Sequence, residues 1–294
     1  MTSDDDSESA SDEINADAVH VTRASDGAFK IQSSIPARCA GCKDADRDGL
    51  NDEWEDAVLA KLTPLVTFDE DEPLMKSDNH DAFAAIGRVF PSGDRVVVSV
   101  MLLYARDYGA PNVFCFHAKN HAGDAERAAL ELEITSGGNA VSRAAYTTGH
   151  EGTEDDQTTI VRDGEQKRLE DVGGRWRVYS SQSKHATYMS KDHCENAHLS
   201  SITHRFCASE DCAPDKMSDE DKKRFTRLPK VLNVGELDAP RLDNDDLSRL
   251  GFQGVRAWST ERFCGGITGL SDEDRAKCPD PLKSKLPKNP FASQ

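Results

Sequence analysis

His117-Ala-Lys-Asn-His121-Ala-Gly123-Asp124-Ala125-Glu126-Arg127-Ala128-Ala-Leu130-Glu131-Leu132-Glu133-Ile134 is the stretch on which the fold reading turns. In its second half Ala128, Leu130, Leu132 and Ile134 are apolar, and Arg127, Glu131 and Glu133 between them are charged. A period of two marks a β-strand with one face in a core. Carried backward, that register puts Glu126 and Asp124 on the apolar face. Inward carboxylates are costly unless a cation or a set of donors meets them. His121 lies three residues before Asp124, next to Gly123, where a turn brings it back beside them. Two readings stand. Either His121, Asp124 and Glu126 form a metal or acid–base site at the mouth of a strand, or the strand begins at Arg127 and all three lie in a solvated loop.

The rest of the chain supplies long polar loops around short apolar runs. Arg95–Tyr104 (RVVVSVMLLY) is almost continuously apolar, as in a strand buried on both faces. Val113–His117, Val141–Thr147 and Arg175–Ser180 (RWRVYS) read as further strands, with Gly137-Gly138-Asn139 as a turn and 149–174 as a long polar loop. One short helix is expected over Ser218–Leu228. The expected class is mainly β: a β-sandwich with long loops and a few short helices, preceded by a calcium loop and helix. The expected organisation is a disordered acidic leader (1–35), the calcium loop and helix (36–63), the sandwich (64–270) and a Pro/Lys-rich tail (271–294).

Charge narrows the function. The formal net charge is -17, and seven acidic residues with no Lys or Arg fall in residues 1–18. The remainder stays strongly acidic, so nucleic acid and anionic lipid are repelled and cations are favoured. No apolar run is long enough to span a membrane. The eight cysteines are an even number set mostly in loop-like sequence, as in disulfide-stapled secreted or cell-surface proteins. On that reading an export signal has been removed. The alternative is an intracellular protein whose thiols are free or on zinc.

The most specific local pattern is Asp44-Ala-Asp46-Arg-Asp48-Gly49-Leu50-Asn-Asp52-Glu-Trp54-Glu55, which matches the spacing of a calcium loop. A hard cation takes six to eight oxygens. Asp44, Asp46 and Asp48 offer carboxylates, Leu50 its carbonyl, Asp52 a direct or water-mediated oxygen, and Glu55 both oxygens. Gly49 allows the sharp turn. Trp54, Val58, Leu59 and Leu62 follow at helical spacing up to Pro64. Calcium is therefore the expected cofactor, with a structural part. The other reading is a solvated acidic helix cap.

Several stretches in order resemble the proteins grouped around vacuolar protein sorting-associated protein sixty-two. They are Pro64-Leu65-Val66 leading into Asp69–Glu72, His121-Ala-Gly-Asp124-Ala-Glu126, Tyr146-Thr-Thr-Gly149-His150, Val178-Tyr179 through His185-Ala186-Thr-Tyr188, and Asn233-Val-Gly235-Glu236. Ala125 stands where that group usually has Trp, and Lys184 where it usually has Ser. The His-x-x-Asp-x-Glu spacing is also similar to that of necrosis- and ethylene-inducing-like cytolysins, whose β-sandwich holds a divalent cation. That resemblance implies a second cation (Ca, Mg or Zn) on His121, Asp124 and Glu126, with Asp107 as the upstream Asp, at a wider spacing than in the cytolysins.

Three functions compete. One is an exported calcium-binding module acting at a cell-surface glycan or lipid. Another is a metal-dependent hydrolase with His121, Asp124 and Glu126 on the ion and His185 or His150 as base. The third is a structural protein in which metals only stabilise. Neither a Gly-x-Ser-x-Gly nor a His-Glu-x-x-His motif is present. The binding module is the preferred reading and the hydrolase its alternative.

Overall fold

The computed structural model describes residues 16–76, 83–108, 121–149, 151, 156–197, 212, 218–235, 244–252, 285–286 and 288–292. The centre of the fold is the antiparallel pair of β5 (Arg95–Asp107) and β6 (His121–Ser136), in register from Val96 opposite Leu132 to Asp107 opposite His121. β4 (Phe83–Ser92) flanks β5, and β7 (Asn139–Thr147) flanks β6. β1 (Val19–Arg23), β2 (Phe29–Ser33) and β13 (Lys230–Asn233) extend the sheet to the order β1-β2-β7-β6-β5-β4-β13. β8 (Thr159–Arg162) also pairs with β7.

A smaller sheet has the order β11-β10-β3-β12, with β9 on β10. Its strands are β3 (Leu65–Thr67), β9 (Glu170–Val172), β10 (Arg175–Ser180), β11 (Thr187–Tyr188) and β12 (Thr226–Arg227). This sheet and helix α1 (Asp52–Leu62) cover one face of the large sheet. Val66, Trp176 and Val178 from the small sheet share a core with Trp54, Val58 and Leu59 of α1 and with Val98, Val100 and Leu130. Trp54 donates its indole N–H to Gly138 O at 2.8 Å, and Trp176 donates to Leu62 O. The other described α-helices are short: α2 (Lys191–Glu195), α3 (Asp219–Phe225) and α4 (Asn244–Leu250). The architecture is mainly β with two sheets, as the alternation of apolar residues implies.

The opposite face of the large sheet is covered too. Leu286 packs with Ile86, Met101 and Leu103, and Phe291 with Phe90, Val97 and Tyr146. Arg127, which the period of two places on a polar face, is 5% exposed. Its guanidinium donates to Lys285 O at 2.6 Å, Lys288 O at 3.3 Å, Tyr146 Oη at 3.2 Å and Glu151 Oε1 at 2.6 Å. Lys285 Nζ completes the group at 3.2 Å from Glu151 Oε2. Part of the C-terminal tail is thus clamped on the sheet by a buried cation.

Other expectations change. Residues 19–33, read as part of a disordered leader, form the β1–β2 hairpin, because Val19, Phe29 and Ile31 are buried in the main core. The segment 149–174, read as one loop, contains β8, a 3-10 helix at Asp163–Arg168, and β9. The strand expected at Val113–His117 lies outside the described residues. Cys39–Cys42 and Cys194–Cys212 are disulfides.

Docking of the tail has a measurable consequence. Phe291→Ala is expected to lower the unfolding free energy by about 3 kcal/mol in urea titrations, as for an aromatic truncated in a packed site. A loss below about 1 kcal/mol would mean that the tail does not belong to the cooperative unit.

Candidate metal centre

The Asp-rich loop is shaped by its own backbone N–H groups. Asp44 accepts from Asp48 N and from Gly49 N, each at 3.1 Å, and Asp48 Oδ1 accepts from Leu50 N at 2.8 Å. Gly49 has φ +90°, which side chains resist, and nothing else crowds it. The exit is capped by Asn51. Its side chain accepts from Glu53 N at 3.3 Å and donates to Pro36 O at 3.0 Å. The result brings one carboxylate oxygen each of Asp44, Asp46 and Asp48 within 4.8 Å of one another. Among the described residues this is the one such cluster of His, Cys, Asp or Glu.

The electrostatics of the cluster are unbalanced. Oδ2 of Asp46 and Oδ2 of Asp48 are buried and accept no hydrogen bond. Glu55, on the first turn of α1, is 4% exposed. Burial, reinforced by the charges of Asp48 and Asp46, pushes the Glu55 carboxyl up to about 9. Burial and Asp48 likewise push Asp46 up to about 6. Asp52 accepts from Ala45 N at 3.0 Å and lies 3.6 Å from Lys43 Nζ, so it braces the loop. The Leu50 side chain is in the core. The loop borders a cleft of about 270 Å³, also lined by Asp56 and Asn233–Gly235.

The second group of candidates is arranged differently. His121 and Asp107 are cross-strand partners, as are Asp124 and Tyr104, and Glu126 and Leu102. Tyr104 and Leu102 belong to the main core, so Asp124 and Glu126 share its side of the strand. Asp107 is buried. Among the described residues, however, Asp107, Asp124 and Glu126 do not converge as ligands. Asp124 Oδ2 instead meets His185 Nδ1 at 3.1 Å. The other ring nitrogen, Nε2, lies 3.4 Å from Glu72 Oε1. Both His185 and Glu72 are fully buried.

The chain bends sharply to make this contact. Ser183 and His185 both have positive φ, 66° and 59°, which costs a non-glycine residue roughly 1 kcal/mol or more. Hydrogen bonds offset the cost: Ser183 N donates to Glu72 Oε2 at 2.6 Å, and Tyr108 N to Ser183 O at 2.9 Å. The imidazole stacks on Tyr104 with ring centres 3.9 Å apart. Nothing local announced Glu72 as a partner; it lies 113 residues from His185. His150 and His117 are outside the described residues. His193 bonds Thr159 Oγ1 at 2.9 Å through Nε2.

Burial alone would lower the His185 pKa, but hydrogen bonds to Asp124 and Glu72, with their charges, raise it from 6.5 to about 9. A group whose folded pKa is raised stabilises fully below its unfolded pKa and loses that contribution as pH rises through the folded one. Between pH 6.5 and 9, metal-free wild type should therefore lose on the order of 3 kcal/mol more stability than His185→Gln, at about 1.4 kcal/mol per unit. Parallel urea profiles for the two proteins would show that His185 is neutral in the fold.

No family model matches the chain, and no curated protein does. Among solved structures, one described as "Toxin fold for microbial attack and plant defense" shows 11% identity and a TM-score of 0.29, over 57% of this chain and 88% of that one. "NLPPya in complex with glucosamine" shows 11% identity and a TM-score of 0.28, over 56% and 87%. "NLPPya in complex with mannosamine" shows 10% and 0.30, over 56% and 88%. These neighbours are distant toxin folds, and the comparisons give the vacuolar sorting resemblance no support.

Proposed function

We propose that this is an exported calcium-binding β-sandwich protein that acts as a binding module at a surface glycan or lipid. One observation carries the calcium part. Three aspartates converge in a tight loop, two of their oxygens are buried without a donor, and the buried Glu55 carboxylate adds its charge beside them. A buried carboxylate oxygen without a donor is expensive, and a hard divalent cation with oxygen ligands removes that cost. Asp44, Asp46, Asp48 and Glu55 would hold the ion, with the Leu50 carbonyl and a water beside Asp52. The ion would lock the loop onto the start of α1 and so onto the core.

Export is supported by the two described disulfides, a kind of bond that persists in oxidising compartments. The surface for a ligand is an open cleft of about 530 Å³ whose lining includes Val161, Arg168, Glu170, Met189, Asp192 and His193. Its size is that of a small-ligand site, and buried Val161 and Met189 among polar and charged side chains suit a sugar ring. Asp124 Oδ2 is engaged with His185 Nδ1, and the proposed ion is the one at the loop, where three aspartates converge. The hydrolase alternative needs a base within reach of substrate. His185 is fully buried and engaged at both nitrogens, which speaks against that role.

The test is metal content with thermal unfolding, in calcium and in chelator. Wild type should carry one calcium per chain, and Asp44→Ala and Glu55→Gln should each lose it. At calcium about 100-fold above the dissociation constant, wild type should gain about 2.7 kcal/mol and both variants almost none. Wild type that retains no calcium and unfolds identically in chelator would overturn the proposal.

A further inference from the structure

We infer that the Cys39–Cys42 disulfide sets the calcium affinity of the loop that follows it, so that reduction weakens the hold on the ion. The inference rests on the calcium reading above and concerns the regulation of that same site. Two anchors bracket the bridge. Upstream, Ala37 is buried, its N–H donates to Gly137 O at 3.2 Å, and its carbonyl accepts from Asn51 N at 2.9 Å. Downstream, Lys43 O accepts from Asp52 N at 3.0 Å.

Between these anchors, residues 38–42 contribute nothing to the core. Arg38, Cys39, Ala40 and Gly41 are exposed and Cys42 is half-buried. What shapes the span is a turn in which Cys42 N donates to Cys39 O at 3.4 Å, with Gly41 at φ +84°, and the disulfide that closes it. A positive φ at the third turn position is the type II geometry for which glycine is suited. The span ends two residues before Asp44, the first residue of the proposed ligand set. Asp44 must stay within 4.8 Å of Asp46 and Asp48 against their mutual repulsion.

A rigid approach lowers the ordering entropy that ion binding would otherwise have to overcome. Opening the bridge restores that entropy to the ion-free protein alone. The chemistry is thiol–disulfide exchange. An external dithiol supplies two electrons and two protons, the S–S bond breaks to leave two thiols on Cys39 and Cys42, and the dithiol becomes a disulfide. Exposure of Cys39 gives the reductant access. The other described bridge, Cys194–Cys212, ties α2 elsewhere and serves as the control.

The experiment is calorimetric calcium titration of the full chain as oxidised wild type, as Cys39→Ser/Cys42→Ser, and as Cys194→Ala/Cys212→Ala. Circular dichroism and unfolding in chelator check each fold. The first double variant should bind calcium about tenfold more weakly than wild type, about 1.4 kcal/mol, with its ion-free fold retained. The control should bind as wild type does. Wild type titrated in graded dithiol buffers should lose affinity in step with reduction of the 39–42 bridge, read by alkylation and mass spectrometry, which keeps the test open if the double variant misfolds. Affinity of the folded variant, or of reduced wild type, within about twofold of oxidised wild type overturns the role of the disulfide. Oxidised wild type that binds no calcium overturns the loop reading itself.

Discussion

A pair of long strands buried on both faces constrains everything else in this molecule. β5 and β6 satisfy each other's backbone groups, and their side chains point into apolar surroundings on either side. A sheet of that kind needs two covers. One is α1 with the small sheet. Its approach is so close that a Cβ at Gly87 would lie 2.4 Å from Leu59 Cδ1. The other includes a C-terminal segment that runs over the outer face and leaves Leu286 and Phe291 in separate apolar clusters. Both covers come from chain distant in sequence, so the fold is assembled by long-range contacts.

Polar ties fix how those covers sit. Glu72 follows β3, His185 lies between β10 and β11, and Asp124 is on β6, so the buried histidine spans from the small sheet to the large one. On the other side Arg127 reads two carbonyls of the tail. Breaking either tie leaves a buried charge without its counterpart, which costs more than the pair contributes when intact. Such groups specify position more than they add stability. That is a reason for polar residues to occupy sites that an apolar side chain could fill.

How much of this was legible depends on the range of the interaction. The acidic loop could be read because its aspartates, turn glycine and helix cap lie in one short stretch, each constrained by local geometry. RVVVSVMLLY showed its two-sided burial by having almost no polar position. β4 escaped notice because Gly87, Arg88 and Pro91 interrupt its apolar run, although all three lie in the paired strand. The β1–β2 hairpin was hidden behind the acidic residues that precede it. Arg127 was misassigned for a related reason. Alternation separates the two faces of a strand but does not say whether both are covered, and its partners lie at 146, 151, 285 and 288. His185 and Glu72 carried no signal of their meeting, since a buried pair leaves no spacing in the sequence.

The position of Trp54 has an optical consequence. Its indole is shut away from solvent, fixed by a bond to Gly138, and immediately precedes Glu55 at the last position of the loop. An excited indole passes energy to a lanthanide bound nearby, and lanthanides occupy calcium sites because they too are hard, oxygen-seeking cations. With an ion in the loop, the side chain that seats α1 in the core would also serve as an antenna, and terbium luminescence would test whether the loop holds a cation at all.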